Sequence, residues 1–470
     1  MSDHIIHSDM RVIAAAMRAG DTSSEALVDE AARRHEAYGA VLGAYKHWDA
    51  ERARREAKAN DGLLASGYDA GALMGMPISL KDLYGVRGMP IFGGSPAELP
   101  KKWREEGPVT EALRLARGVI MGKTHTVEFA YGGIGTNAHW GAPVNPWDGD
   151  NHRVTGGSSS GAGVSLSQGS ALVAMGTDTG GSVRIPASVT GNVGLKTTVG
   201  RWSLAGIVPL SHTFDTPGPL TRNVTDSALA FAAIDPAHSD AEVFFQSVDG
   251  AEVGDITFAL CDEHFWDGCS PGIAEGVRQA IAELSAKGAR VVSVSFPEAT
   301  LARESSLRGG IFGAEGLSFI EEYYPDRVST LDPNVAERFA DGRNITAIEY
   351  LKALRRIAGL ARIANDKLRH VDVLITPTLA VTPPTVEQVA DLDSYKHYLG
   401  RMTQNTHPVN LLELCSITLP VALDSAGMPV GLQLISCGGR EERLLAAALA
   451  CEKVLGTARQ RLGTPPRCAE

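Results

Sequence analysis

The stretch Gly176-Thr177-Asp178-Thr179-Gly180-Gly181-Ser182-Val183-Arg184 follows the short apolar run Ala171 to Met175 in a chain of 470 residues. The apolar run predicts a buried strand that ends where the polar stretch begins. Two glycines directly before Ser182 permit a sharp turn, because they carry no side-chain bulk. Successive N–H groups from Thr179 to Ser182 can then point into one concavity and bind an oxyanion. A tight Gly-Gly turn capped by an ordinary serine is the alternative at this point.

The regions on either side of this stretch show the same sequence pattern. Apolar runs bounded by glycine, Met76 to Leu80 and Gly118 to Met121, alternate with helical patterns such as Val109 to Arg117. Such alternation predicts an α/β fold with a largely buried sheet. Residues 156–200 contain 11 glycines and 8 serines, but valines and leucines are interleaved among them. This composition predicts a buried segment in which backbone approaches backbone or ligand closely.

The rest of the chain suggests one continuous domain, since no linker is long enough to separate freely moving parts. Ser8 and Asp9 can cap a first helix that Gly20 ends. Near the end, the strand patterns 371–376, 417–423 and 430–435 precede a helical pattern over 441–455. We predict a single domain over 1–470 with four segments: an N-terminal helical layer (about 1–65), a core (about 70–235), a variable substrate-side segment (about 236–345) and a C-terminal α/β part (about 346–460).

Composition excludes several classes of protein. The formal net charge is −11, and no basic stripe is present, so a nucleic-acid partner is not expected. The acidic balance argues against docking on anionic lipid, and no apolar run approaches the length of a membrane span. The first ten residues, MSDHIIHSDM, lack the features of a secretory signal. Six cysteines without CxxC spacing favour reduced thiols and a cytoplasmic location.

A nucleophilic serine needs a base, and Lys81 is the strongest candidate. The sequence Pro77-Ile78-Ser79-Leu80-Lys81-Asp82 carries an apolar strand directly into this lysine. Burial would lower the lysine pKa, and a neutral lysine can accept a proton from a serine hydroxyl. A lysine at a strand end that simply pairs with Asp82 is the alternative.

Three other patterns resemble functional motifs, but each lacks a feature that its motif requires. Gly122-Lys123-Thr124 ends like a phosphate-binding loop, but Arg117 stands where that loop needs a glycine. Residues 157–161 fit G-x-S-x-G with Ser159 as nucleophile, yet polar residues precede them where a hydrophobic strand is required. The histidines show no ligand spacing, so neither a metal site nor a cofactor is expected; those considered are His125, His139, His152 and His212.

Taken together, several segments in this order resemble the amidase signature family, and the resemblance covers nearly the whole chain. The matching segments are PISLKDLYGV (77–86), GKTHTVEFAYGGIGTN (122–137), GAPVNPW (141–147), TGGSSSGAG (155–163), GTDTGGSVRIPA (176–187), GNVGLKTTVGR (191–201) and LPVALDSAGMPVGLQLI (419–435). The resemblance is weakest over 236–345, where family members vary. It implies a large mixed, twisted β-sheet flanked by helices on both faces.

The resemblance also implies a Ser–cisSer–Lys triad and its surroundings. Ser182 matches the nucleophile, Ser158 the bridging serine that follows a cis peptide bond, and Lys81 the base. The implied oxyanion hole consists of the N–H groups of Thr179, Gly180, Gly181 and Ser182, the supporting residues are Asp178 and Arg184, and the acyl-pocket wall is Ala130, Tyr131, Gly132 and Gly133. A homodimer is a further family-level expectation.

These observations favour an amidohydrolase that cleaves the C–N bond of a small carboxamide, or of a related aryl amide, hydrazide, carbamate or urea-type substrate. The alternative is the glutamine-hydrolysing component of a tRNA-dependent amidotransferase. The segment after Lys81-Asp82, residues 83–88, differs from the usual pattern of that component. A serine esterase using Ser159 is a third reading. We expect residues 130–133 and the segment 236–345 to shape the acyl pocket.

Overall fold

A computed structural model describes residues 6–469 and contains an eleven-stranded mixed sheet. The strand order across it is β1-β3-β2-β4-β6-β5-β10-β11-β9-β7-β8. Their bounds are β1 (Tyr45–Trp48), β2 (Pro77–Lys81), β3 (Val119–Thr124), β4 (Val173–Asp178), β5 (Val193–Lys196), β6 (Thr216–Thr221), β7 (Thr257–Leu260), β8 (Arg290–Ser293), β9 (Val373–Pro377), β10 (Cys415–Leu423) and β11 (Pro429–Ser436).

Helices cover both faces of this sheet. Every residue of β2, β4, β6 and β9 is buried, and consecutive strand residues point to opposite faces, so both faces lie under other elements. The mixed α/β architecture predicted from the sequence is confirmed. The first nine helices are α1 (Met10–Ala19), α2 (Ser24–Leu42), α3 (Ala50–Ala65), α4 (Pro108–Leu115), α5 (Ala162–Ser167), α6 (Arg184–Val189), α7 (Val224–Ile234), α8 (Ala241–Asp249) and α9 (Ile273–Ala286).

The second half of the chain is richer in helices. They are α10 (Glu298–Gly309), α11 (Ile311–Tyr323), α12 (Pro333–Arg343), α13 (Ala347–Leu368), α14 (Leu392–Met402), α15 (His407–Leu411), α16 (Glu441–Leu455) and α17 (Ala458–Leu462). The longest, α13, begins with a capping box in which Thr346 and Glu349 satisfy each other's backbone N–H groups. Between residues 6 and 469, no helix is both long and apolar enough to cross a bilayer.

The N-terminal segment is not wholly helical, contrary to the prediction. Residues 45–48 form β1, which pairs antiparallel with β3 at the sheet edge. Aromatic side chains pack along this short strand. Trp48 stacks on His35 with ring centroids 4.1 Å apart, and the ring centroids of Tyr45 and Trp48 lie 4.7 Å apart. Four half-exposed residues give too short a pattern to show the alternation that identifies a strand.

Parallel pairing brings the functional segments together at the carboxyl ends of two interior strands. Strand β2 runs parallel to β4, with Ile78 opposite Val173 and Leu80 opposite Met175. Carboxyl ends of neighbouring parallel strands lie side by side, where ligands commonly bind in α/β proteins. Lys81, the last residue of β2, therefore lies beside Thr177, near the end of β4.

Candidate active site

Lys81 is fully buried and makes two hydrogen bonds at the carboxyl end of β2. Its Nζ lies 2.7 Å from Ser158 Oγ and 2.8 Å from Thr177 Oγ1. Asp82, the partner considered from the sequence, instead forms a buried ion pair with Lys123 at 3.2 Å. Successive strand residues point to opposite faces, so adjacent Lys81 and Asp82 enter different environments. The Lys81–Asp82 pairing is therefore wrong.

The environment of Lys81 favours its neutral form. Burial lowers the pKa of Lys81 to about 7, although the charges of Asp215 and Asp178 oppose the shift. A lysine with this pKa is partly deprotonated at neutral pH. It can therefore accept a proton, which an ordinary lysine does rarely at that pH.

Ser158 lies on a loop that is fixed against a second loop. The peptide bond Gly157–Ser158 is cis. The N–H of Gly157 donates to Gly133 O at 2.8 Å, and Ser158 O accepts from Val127 N at 3.1 Å. Residues 156–158 thus lie against residues 126–133, and Ser158 Oγ is held next to Lys81.

The turn that carries Ser182 is organised by Asp178. One carboxylate oxygen accepts from Gly181 N at 2.8 Å, and the other accepts from Val183 N at 3.1 Å. A carboxylate that binds backbone N–H groups on both sides of Ser182 fixes that residue's backbone. Asp178 can reach both groups because it is the last residue of β4, directly before the turn.

Arg184 completes this support from the start of α6. Its guanidinium is fully buried and binds Asp178 through two nitrogens, at 2.9 and 3.1 Å. The same group donates to Gln433 Oε1 at 2.7 Å and to Asn410 Oδ1 at 2.6 Å. Burial alone would raise the pKa of Asp178, but the charge and hydrogen bonds of Arg184 hold it well below its usual range. Asp178 therefore remains ionised.

One of the four N–H groups considered from the sequence already has an acceptor within the protein. The N–H of Gly181 already donates to Asp178, so it has an acceptor within the protein. Within residues 6–469, no protein acceptor contacts the N–H of Gly180 or that of Ser182. Both residues line the adjoining cavity, as does Thr179. The N–H of Thr179 also has no protein acceptor among these residues, so an oxyanion hole at this turn would use Thr179, Gly180 and Ser182.

Two polar residues near the turn were not singled out from the sequence. Thr177 binds Lys81, as described above, and Asp215 accepts a hydrogen bond from Thr179 Oγ1 at 2.5 Å. Asp215 also accepts from Leu210 N at 2.9 Å, and burial raises its pKa to about 6. Thr177 lies within the stretch 176–184 but had no predicted role, and Asp215 stands in no distinctive local pattern; only the tertiary structure brings them to the lysine and the turn.

A cavity of about 260 Å³ opens in front of Ser182. The four predicted wall residues 130–133 line it together with Thr179, Gly180 and Ser182. Ser182 is 7% exposed, whereas Ser158 and Lys81 are fully buried. Ser182 thus lines the cavity, whereas Ser158 and Lys81 are not among its lining residues, and Ser182 Oγ makes no hydrogen bond to either of them within residues 6–469.

The remaining walls come from helices of the second half of the chain. Helices α10, α11 and α12 lie in the segment predicted to shape the pocket, and they contribute Arg303, Ser306, Phe312 and Arg338. The region 396–407, outside that segment, also lines the cavity, through Lys396, Leu399, Gly400, Thr403 and His407. The sequence interpretation missed this region because its helical pattern carries no motif.

The other motifs considered from the sequence lie outside this arrangement. Ser159 is fully buried and directs its Oγ toward Thr177 O at 3.4 Å. Lys123 of the GKT sequence forms an ion pair with Asp82. Across residues 6–469, no group of three or more His, Cys, Asp or Glu side chains is placed to hold a metal ion.

Comparison with known proteins gives a consistent family. A family model described as Amidase matches residues 26–445. The chain is 45% identical over 469 residues to a 2-amino-5-chloromuconic acid deaminase of Comamonas testosteroni, covering 98% of each chain. It is 34% identical over 466 residues to a glutamyl-tRNA(Gln) amidotransferase subunit of Synechococcus sp. (strain CC9605), covering 92% of this chain and 93% of the relative.

Solved structures agree with these matches. One described as an amidase is 31% identical and superposes with a TM-score of 0.85, covering 96% of this chain and all of the other. A 6-aminohexanoate cyclic dimer hydrolase in complex with its substrate is 25% identical, with a TM-score of 0.85 over 99% of this chain and all of the other. The resemblance predicted from the sequence is confirmed: the chain belongs to the amidase family.

Proposed function

We propose that this amidohydrolase cleaves the C–N bond of a small substrate through a covalent intermediate on Ser182, with Ser158 and Lys81 as a proton relay. The observation that carries the proposal is the 2.7 Å hydrogen bond between Lys81 Nζ and Ser158 Oγ in a fully buried setting. Thr177, the other partner of Lys81, lies five residues before Ser182, which lines the cavity. A buried lysine of lowered pKa is suited to act as the base.

In the first half of the reaction, Ser182 Oγ bonds to the carbon that bears the nitrogen. The proton of Ser182 passes to Ser158, and the proton of Ser158 passes to neutral Lys81, which becomes an ammonium. For a carboxamide, negative charge develops on the carbonyl oxygen, and the N–H groups of Thr179, Gly180 and Ser182 stabilise it.

The collapse of this intermediate returns the proton. Lys81 gives its proton through Ser158 to the departing nitrogen, so the C–N bond breaks with a neutral amine or ammonia as leaving group. Water then adds to the acyl carbon, and its proton enters the same relay. Ser182 leaves with a proton, and the products from a carboxamide are a carboxylic acid and ammonia or an amine.

The 45% identical relative is a deaminase by name, which supports ammonia as the nitrogen product of this chain as well. The compound in its name, 2-amino-5-chloromuconic acid, is therefore the first to assay, alongside simple carboxamides. The lower identity, 34%, to the amidotransferase component favours a free-standing enzyme. We further propose that the enzyme is a cytoplasmic homodimer that uses no cofactor.

Substitution of the nucleophile tests this proposal. Ser182→Ala should lower turnover by about 10⁴-fold or more, because a nucleophile and its relay act as a unit. Mass spectrometry after reaction with a fluorophosphonate should locate the adduct on Ser182. Ser159→Ala is the matched control in the neighbouring serine run and should retain activity. An adduct on Ser158 or Ser159 would remove Ser182 from the mechanism.

The amidotransferase alternative is tested with the same protein. A free-standing amidohydrolase releases ammonia from its substrate as an isolated chain. A glutaminase component of a complex should be nearly silent alone and should act on glutamine only with its partners. Efficient glutamine hydrolysis that appears only on addition of such partners would replace the proposed function with the alternative.

A further inference from the structure

The cavity in front of Ser182 is lined by more positive than negative charge. Arg303, Arg338 and Lys396 contribute to its walls, and Asp341, which is exposed at the rim, is the carboxylate among its lining residues. Lys396 has an acidic neighbour outside the cavity, Glu337, at 3.4 Å. The two arginines form no ion pair with a carboxylate anywhere in residues 6–469. The cavity is therefore an electropositive site.

Arg303, on α10, has the most unused hydrogen-bonding capacity. One terminal nitrogen donates to Gly400 O at 2.9 Å. Its Nε–H is buried and meets no acceptor in the described part of the chain. Burial and the nearby charge of Arg401 lower the pKa of Arg303. A guanidinium that is desolvated, without a counter-charge and beside a second cation is costly unless an anion neutralises it.

Arg338 is engaged differently. Its guanidinium lies over the ring of Tyr131 at 3.6 Å, and one nitrogen donates to Tyr131 O at 2.5 Å. These contacts fix the wall formed by residues 130–133. They leave Arg338 able to add to the positive potential, while Arg303 has the donor without a partner.

A chain of contacts places Arg303 within a small molecule's length of the turn. Ser306, one helical turn after Arg303, has its Oγ 3.5 Å from His407 Nε2. A Cβ built on Gly180 would lie 3.7 Å from the His407 ring. Arg303 and the turn thus line one cavity and are linked along its wall by Ser306 and His407.

The space between the turn and Arg303 is mainly uncharged. His407 is buried, and burial together with the charges of Arg303 and Arg338 lowers its pKa to about 3, so the imidazole is neutral. Its ring packs against Phe312, with centroids 4.9 Å apart. A substrate here would meet an uncharged middle and a positive far end.

We infer that the cavity selects a substrate whose carboxylate lies at the far end of a short carbon chain from the C–N bond, and that Arg303 is the specificity-determining residue that binds it. This inference rests on the proposed function only in assigning the cavity as the substrate site. The planar fork of arginine matches a carboxylate with two hydrogen bonds. An α-ammonium group, as in glutamine, meets repulsion in the same place.

A pair of substrates of equal length tests the charge requirement. The monoamides of four- to six-carbon dicarboxylic acids, which carry one free carboxylate, are compared with amides of the same chain length that carry no carboxylate. With wild-type enzyme, kcat/KM should be at least about tenfold higher for the best acid than for its neutral counterpart, because only the acid accepts charge-assisted hydrogen bonds from Arg303. Equal or higher kcat/KM for the neutral series would overturn the inference.

Variants of Arg303 assign the effect to one residue. Arg303→Gln should lower the acid-to-neutral ratio of kcat/KM by about 10- to 100-fold, mostly through KM. Arg303→Lys, which keeps the charge without the fork, should give an intermediate ratio and guards against simple misfolding. Arg308→Gln is the matched control, since Arg308 lies exposed on the same helix and pairs with Glu304 on the helix surface. An unchanged ratio in Arg303→Gln would overturn the inference.

A binding measurement separates this inference from the proposed chemistry. Calorimetry with the unreactive dicarboxylates succinate, glutarate and adipate requires no turnover. Wild type should bind at least one of them, and Arg303→Gln should bind it at least about tenfold more weakly. No binding to wild type, or equal binding to the variant, would overturn the inference even if Ser182 proves to be the nucleophile. Loss of the Ser182 adduct would instead contradict the mechanism and leave this binding result standing.

Discussion

Two lysines, each at or near the end of a strand in the same sheet, show how position decides chemistry. Lys81 and Lys123 are both fully buried, and burial lowers the pKa of each. Lys123 contacts a carboxylate, Asp82, at 3.2 Å, which favours its charged form. Lys81 contacts two hydroxyl groups and, among the described residues, no carboxylate. Of these two lysines, Lys81 is thus the one prepared to exchange a proton with a serine.

The lowered pKa of Lys81 predicts the pH dependence of the reaction. The pKa falls from the usual value near 10.5 to about 7, so the neutral base accumulates as pH rises through about 7. We expect kcat/KM to rise with a limb near pH 7 and then level off. The measurement is a pH profile of kcat/KM on an amide and on an activated ester of the same acid.

Lys81→Met serves as the control for this profile. It should remove the limb near pH 7 and most of the rate on the amide. The activated ester should lose less, because its leaving group departs without protonation. A limb that persists in this variant would assign the titration to another group and would exclude Lys81 as the base.

The turn between β4 and α6 shows how a whole element positions one hydroxyl. Two neighbouring glycines in it have different tasks. Gly181 has φ of +127°, and a Cβ there would lie 2.1 Å from Thr406 Oγ1. At Gly180, the nearest atom to a built Cβ is a Phe312 ring carbon at 3.6 Å, an ordinary contact. The sequence shows two adjacent glycines and does not distinguish them.

Alanine at these two positions should therefore change stability and activity to different extents. Gly181→Ala should lower the free energy of unfolding by about 1–3 kcal/mol and abolish activity, because the backbone at Ser182 must move. Gly180→Ala should change stability by less than about 1 kcal/mol. Thermal unfolding of both variants, with assay of each, makes the comparison. Equal destabilisation by the two changes would contradict this account of the turn.

The molecule as a whole is connected by buried polar contacts between distant segments. The N-terminal helix α1 is tied to α7 by one of them: Met10 N donates to Asp226 Oδ1 at 2.7 Å, across 216 residues of sequence. Each of the four predicted segments also contributes at least one strand to the one sheet. Both features support the proposal of a single domain over 1–470.

Asp226 predicts how the stability of the whole molecule responds to pH. Burial raises its pKa from 3.8 to about 7, although Arg222 opposes the shift. The stabilising contribution of its protonated form is complete below about pH 4 and is lost as pH rises through about 7. Asp226→Asn cannot ionise. We therefore expect the unfolding free energy of wild type, relative to this variant, to fall by about 1–3 kcal/mol between pH 5 and 8.

Denaturant titrations of the two proteins at several pH values provide the measurement. Taking the difference removes other groups, including Lys81, whose lowered pKa acts on stability in the opposite direction over a higher pH range. A difference that stays constant from pH 5 to 8 would show that Asp226 does not titrate there.

The sequence by itself determined the fold class and the order of the main elements. Helix caps predicted at Asp9 and Gly20 are where the structure has them, and helix 441–455 begins and ends as predicted. These features are local, because caps and helical periodicity depend on residues within a few positions of one another. The motifs around Lys81, Ser158 and Ser182 were likewise visible as short patterns.

Only the tertiary structure decided which groups meet. The parallel register of β2 and β4 brings Lys81 to Thr177, and packing of α14 and α15 adds His407 and its neighbours to the cavity. Arg303 has no local signal, since its importance comes from the absence of a nearby carboxylate among the described residues. The physical reason is common to all of these: desolvation, charge and hydrogen bonding depend on distance through space, and residues far apart in the sequence set them.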